Sequence, residues 1–170
     1  MIKIELDKDQ ILRLCLLVAF ILSLVGAILL LATPFAGWSY YSSYQYMQTN
    51  YATGSTYYYF NTSSDAGVIT LVTMPYGLIV LMIALFLIFS AAIALVAFQF
   101  PDKLPDTEWV RYASYLSLIA LILATIGGIA FAAVMAGTDN YWWFEAGFYG
   151  GMISSLVSAL LLYYYYLQSE

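Results

Sequence analysis

Residues 38–65 read WSYYSSYQYMQTNYATGSTYYYFNTSSD, and the only formal charge among them is the final Asp65. Eight tyrosines, a tryptophan and a phenylalanine are interleaved with Ser, Thr, Gln and Asn. From Trp38 to Gln48 the aromatic positions fall in an imperfect period of two, the pattern of strong strand formers. Residues 50–55 (NYATGS) supply turn chemistry, and 56–61 (TYYYFN) form a second aromatic strand candidate. The simplest reading is a β-hairpin. Its rival is a low-complexity linker, but aromatic density this high favours burial against something over free solvation.

The flanks decide what the hairpin sits on. The chain has 170 residues, 64% of them apolar and 9% charged, against about 25% charged in ordinary soluble domains. The excess is concentrated in four long uncharged runs, each near the length of about 20 residues that a bilayer span requires. The expected fold is therefore an all-α transmembrane four-helix bundle with a small extracellular β-hairpin or three-stranded cap. It forms a single integral membrane domain over 1–170, with helices at about 8–32, 74–98, 107–136 and 142–167 and an outer loop at 33–73. A cleaved leader has an apolar region of about 7–15 residues; residues 14–32 are longer, so a retained helix is expected.

Local signals set the boundaries. Asp7 with Gln10 has capping-box spacing, and Thr33-Pro34 closes the first helix. Residues 68–98 taken as one helix would reach about 46 Å at 1.5 Å per residue, beyond a hydrocarbon core of about 30 Å. Pro75 fits the first turn of a helix, so the second span is expected to start near Met74, leaving 67–73 (GVITLVT) for a third outer strand. The alternative is a longer helix kinked at Pro75. Asp106 is the expected N-cap of the third helix, Gly137 its stop, and 138–141 a tight connection to the fourth.

Charge gives an orientation. Lys3, Lys8 and Arg13 precede or begin the first helix, while Lys103 and Arg111 flank the turn between the second and third. The positive-inside rule makes both termini and that turn cytoplasmic, in a multi-pass plasma-membrane protein. Arg13 reads as an interface anchor that snorkels to the headgroups. Trp38 and Trp142-Trp143 would mark the outer interface, and Trp109 with Tyr163 to Tyr166 the inner one.

Small residues recur every fourth position in the third helix (Ala120, Ala124, Gly128, Ala132, Ala136) and the fourth (Gly147, Gly151, Ser155, Ala159). Such faces allow close backbone approach where lipid gives no hydrophobic reward for contact. The short connection leads us to expect that these two faces meet each other, the alternative being a face left for homo-oligomerisation or another subunit. Ser114, Ser117, Thr125, Ser154, Ser155 and Ser158 are expected to hydrogen-bond between helices.

The sequence holds little chemistry. It has no histidine and a single cysteine, Cys15. The first removes the commonest metal ligand and general base; the second removes any intrachain disulfide. Net charge −5 argues against nucleic acid. No catalytic motif stands in a usable context, so no enzyme activity, cofactor or metal is expected. Glu145 is a candidate ion or proton site near the outer end of the fourth helix, which Asp65 and Asp139 could join; the plainer reading is a carboxylate favoured by the helix dipole. Asn61-Thr62-Ser63 is a glycosylation sequon in the outer loop.

The four-pass layout, a long first outer loop and a short second one, and Gly37-Trp38 in the first resemble the claudin-like tetraspan proteins. The resemblance implies a small β-sheet, built from the first loop and the helix ends, that contacts partner proteins. The paired loop cysteines of that family have no counterpart here. The expected function is non-enzymatic protein–protein contact through the aromatic outer loop, as a structural, adhesive or accessory component of a membrane or cell-surface complex. Tyr and Trp supply large, rigid, amphipathic contact area, which makes Trp38, Tyr40, Tyr44, Tyr46, Tyr57 and Tyr59 the contact candidates. Expected partners are the lipid bilayer, further copies of the chain, or other membrane and surface proteins. The alternatives are a small transporter, channel or ligand-binding subunit with a site near Glu145, and an accessory subunit of a membrane enzyme complex. A cysteine-poor, Ile/Leu/Tyr-rich composition with few titratable outer groups suits a prokaryotic, specifically archaeal, membrane.

Overall fold

A computed structural model describes residues 7–40, 45–50, 55–59, 73–101, 106–137 and 141–169. Four helices make up most of it: α1 (Lys8–Ala32), α2 (Thr73–Gln99), α3 (Glu108–Ala136) and α4 (Ala146–Ser169). Four short strands complete it: β1 (Ala36–Tyr40), β2 (Gln45–Asn50), β3 (Ser55–Tyr59) and β4 (Tyr141–Phe144).

The helix starts follow the local chemistry. At α1 the capping box forms: the Asp7 carboxylate accepts the Gln10 N–H and Gln10 Oε1 accepts the Asp7 N–H at 3.2 Å, while the carboxylate also accepts the Lys8 N–H at 2.6 Å. Thr33 ends the helix by donating both its N–H and its hydroxyl to Leu29 O. Helix α2 begins at Thr73, so Pro75 lies in the first turn, where a missing N–H loses nothing. The third strand expected at 67–73 falls, apart from Thr73 itself, outside the described residues. At α3 the N-cap is Thr107, one residue beyond the expected Asp106, whose carboxylate still accepts the Glu108 N–H at 3.3 Å. Helix α4 starts at Ala146, four residues later than the sequence suggests, because 141–144 are a strand.

Each helix packs on its neighbours in chain order and α4 closes back on α1, leaving little contact across the α2–α4 diagonal. The chain is a four-helix bundle with a β-sheet at one end, where α1 and α3 finish and α2 and α4 begin. All four helices are long and apolar enough to cross a membrane. Only 33–39% of each apolar window is buried inside the bundle, so most of the apolar surface points outward. Ile28, Phe89, Ile129 and Leu160, one from each helix, are more than half exposed. Helices apolar all round need lipid to cover them. The chain is a multi-pass membrane protein.

The interior is layered. A cluster near the sheet joins Ala27, Leu30, Phe35, Val80, Ile83, Leu87, Ala120, Ala124 and Phe131. A second, toward the other end, joins Leu16, Ala19, Ala94, Ala97, Val110, Ala113 and Leu162. Between them in sequence, every helix contributes buried serine: Ser23, Ser90, Ser117, and Ser155 with Ser158.

The expectation that the small faces of α3 and α4 meet is corrected in part. A Cβ at Gly147 would come within 2.8 Å of Pro34 O, and one at Gly151 within 3.0 Å of Leu30 Cδ2; both glycines therefore abut α1 and the turn after it. Ala120 and Ala124 lie in the cluster with residues of α1 and α2, and Gly128 makes room for the Phe148 ring of α4. Ala132 is half-buried. Ser114 does reach α4, donating to Ala159 O at 2.9 Å.

Candidate functional site

The strands form one antiparallel sheet in the order β3-β2-β1-β4. The strands β2 and β3 pair antiparallel as the expected hairpin requires, with 51–54 of its turn outside the described residues, but the single strand expected over 38–48 is two strands, β1 and β2. A fourth strand, β4, comes from the connection before α4, more than 100 residues along the chain from β1. It pairs Ala36 with Phe144, Gly37 with Trp143, Trp38 with Trp142 and Ser39 with Tyr141. The ladder runs on beyond the strands, since the Glu145 N–H donates to Phe35 O at 3.0 Å and the Gly147 N–H to Pro34 O at 3.1 Å. The sheet is thus stitched to the ends of both α1 and α4.

Strand alternation sorts the sheet into two faces. Ala36, Trp38, Trp142 and Phe144 share one, with Met47, Thr49, Thr56 and Tyr58 in register across β2 and β3. That face meets the bundle: Ala36 is buried, Trp142 meets Phe131 edge-on at 5.8 Å, and Phe144 stacks on Phe148 at 4.0 Å. Phe35 adds an edge-on contact with Phe148 at 5.3 Å. Aromatic pairs of this kind contribute about 0.5–1.5 kcal/mol each beyond their buried area, so the sheet has a firm seat.

The opposite face carries two register rows. One is Tyr59, Tyr46, Ser39 and Tyr141; the other is Tyr57, Gln48, Gly37 and Trp143. No charged residue stands in either. Tyr141 is 62% exposed. The Trp143 ring lies over Gly37, where an added Cβ would come within 2.9 Å of it. Glycine here provides the space for that ring to lie flat on the strand.

The contact candidates therefore divide. By backbone register Tyr46, Tyr57 and Tyr59 share the rows of Tyr141 and Trp143, and Trp38 and Tyr40 belong to the alternate set with Trp142 and Phe144. Tyr141 joins the first group; its place in the β1 ladder was not readable from a tight turn. Tyr44, Asn61, Asp65 and Asp139 lie outside the described residues, and so do the sequon and the carboxylate cluster built on them.

Glu145 sits at the junction of β4 and α4, one residue before the helix. Its backbone carbonyl accepts the Phe148 and Tyr149 N–H groups, and its carboxylate accepts the Trp143 indole N–H at 2.5 Å. The carboxylate thus anchors the ring that covers Gly37. Among the described residues, no group of three His, Cys, Asp or Glu could hold a metal ion.

In the middle of the bundle, the Ser23 hydroxyl donates to Ser158 Oγ at 2.8 Å, and Ser158 also reaches Ala19 O at 3.3 Å. Ser90 donates to Ala113 O at 2.9 Å. The hydroxyls of Ser117 and Ser155 are buried with no hydrogen-bond partner among the described residues. At the end opposite the sheet, Arg111 pairs with Glu108 and donates to Tyr166 Oη at 3.2 Å, while Tyr166 donates to Glu108 Oε1 at 3.2 Å. Tyr166 is accordingly buried, not part of an exposed belt as its run of tyrosines suggests; Tyr163 and Tyr164 are exposed.

The sequence matches no protein-family model and no curated protein. The fold by itself defines the class: a four-pass membrane protein carrying a four-stranded, tyrosine-rich sheet on one end of its bundle.

Proposed function

We propose that this chain is a non-enzymatic contact protein of a plasma membrane, which binds another protein through the outer face of its sheet. The observation that supports this reading most is the pair of uncharged register rows with Tyr46, Tyr57, Tyr59, Tyr141 and Trp143. Tyrosine and tryptophan are favoured at contacts, and charge is depleted at their centres. The positive-inside rule supports an outward sheet, since all five basic residues belong to the other end in chain order. The partner is another copy of the chain or a neighbouring membrane or cell-surface protein. The likeness to claudin-like proteins belongs to the same reading.

The test is crosslinking in native membranes followed by purification. Wild-type chain should carry a partner, and Tyr46→Ser, Tyr57→Ser and Tyr141→Ser together should release it without lowering the melting temperature of the bundle. A partner-free monomer in the native membrane would overturn the proposal. One observation favours a second reading, a small transporter or channel: the unpartnered hydroxyls of Ser117 and Ser155. Solute flux through reconstituted vesicles, lost in Ser117→Ala and Ser155→Ala, would separate the two.

A further inference from the structure

We propose that the cleft between the first turns of α1 and the last turns of α4 holds the phosphodiester of a membrane lipid headgroup, gripped by Lys8 and Arg13. The cleft has a volume of about 550 Å³ and is lined by Lys8, Asp9 and Arg13 from α1 and Tyr165, Gln168 and Ser169 from α4. That is room for a headgroup and its glycerol, with the acyl chains left outside.

The charges at this end are not equivalent. Arg111 is paired with Glu108 and held by Tyr166. Lys8 and Arg13 are exposed and make no ion pair among the described residues. Both line the same cleft. The guanidinium suits the paired oxygens of a phosphodiester, and the lysine adds a mobile point charge. Among the described residues, the lining has two cations, Lys8 and Arg13, and one acid, Asp9. That excess of cations suits an anionic headgroup.

Depth points to a lipid as the source. Five residues separate Lys8 from Arg13, about 7.5 Å along a helix axis, which is close to the thickness of the headgroup layer on one side of a bilayer. Exposed apolar side chains stand on both helices at this level: Ile11 and Leu14 on α1, Tyr164 and Leu167 on α4. Acyl chains can lie there while the phosphate sits among the cations. Basic pockets between membrane helices take acidic headgroups in this way. The proposal rests on the membrane spans alone and is independent of what the sheet binds.

Native mass spectrometry of the full chain in mild detergent tests it. The probes are phosphatidylglycerol and a phosphate-free diglucosyl lipid with the same acyl chains. Phosphatidylglycerol should be retained preferentially, and removing Lys8 or Arg13 as Lys8→Gln or Arg13→Gln should weaken retention about fivefold each, the effect expected of one basic residue beside an anionic surface. Both changes are at exposed positions, and an unchanged melting temperature confirms that the variants are folded. Excess inorganic phosphate should leave the lipid adduct in place. Equal retention of the glycolipid, or an unaffected double variant, overturns the site. Displacement by inorganic phosphate at lipid-equivalent concentration overturns the lipid assignment.

Discussion

A Cβ added at Gly147 would come within 2.8 Å of Pro34 O and 3.1 Å of Thr33 O, both backbone atoms that cannot swing aside. Gly147→Ala must therefore part α4 from the end of α1, and it strains the Gly147 N–H bond to Pro34 O. We expect a loss of about 1–3 kcal/mol, the usual effect of overpacking. At Gly127 the same Cβ would meet Phe35 Cζ at 3.5 Å and Ile79 at 3.7 Å, ordinary contact distances. Gly127→Ala should be neutral or gain up to about 1 kcal/mol, since glycine is a poor helix residue. Unfolding in mixed micelles, followed by circular dichroism, reads both; the same sign at the two positions would contradict the packing. The four-residue spacing of Gly147 and Gly151 reveals a close-approach face. It does not say which neighbour comes close, because α4 has α1 on one side and α3 on the other. Tyr166 is a similar case: nothing in YYYY marks the one tyrosine that turns inward to Glu108 and Arg111.

Among the elements, β4 is the one the sequence hides. YWWF before a helix has the composition of an interfacial belt, and nothing local announces a pairing partner a hundred residues away. The capping box of α1, by contrast, is a contact between neighbours and is legible from Asp7 and Gln10. The β1–β4 register can be tested in a Cys15→Ser background. Opposed residues in an antiparallel pair have Cα atoms about 4.5–5.5 Å apart, within reach of a disulfide. Ser39→Cys with Tyr141→Cys should crosslink on mild oxidation and become resistant to alkylation. Ser39→Cys with Trp142→Cys, shifted to the opposite face, should not. The serine layer yields a second test, because the Ser23 hydroxyl donates to Ser158 across α1 and α4. A double-mutant cycle of Ser23→Ala and Ser158→Ala should give a coupling near about 0.6 kcal/mol, typical of hydrogen bonds between membrane helices. A zero coupling would mean that the two hydroxyls do not share a bond.

On the scale of the whole molecule, two asymmetries run along the bundle. One end has the sheet, with uncharged tyrosine rows and, among the described residues, the carboxylate of Glu145 bound to an indole. The other has Lys8, Arg13 and Arg111, with Asp7, Asp9, Asp106 and Glu108 interspersed. Acidic residues contribute little to insertion, so the basic residues decide the topology, and the sheet should face the outside. Single-cysteine variants in a Cys15→Ser background can report this: Tyr141→Cys on the sheet, where the native side chain is 62% exposed, and Gln168→Cys at the exposed end of α4. In intact cells a membrane-impermeant maleimide should label position 141 and spare 168, and permeabilisation should open 168 to the reagent. Neither substitution removes a basic residue, so the topology signal itself is untouched. The reverse pattern would turn the sheet toward the cytoplasm and end the proposal of an outer contact surface. It would leave the bundle, the sheet register and the phosphate cleft standing, because those depend on packing and on which end holds the cations, not on which compartment that end meets.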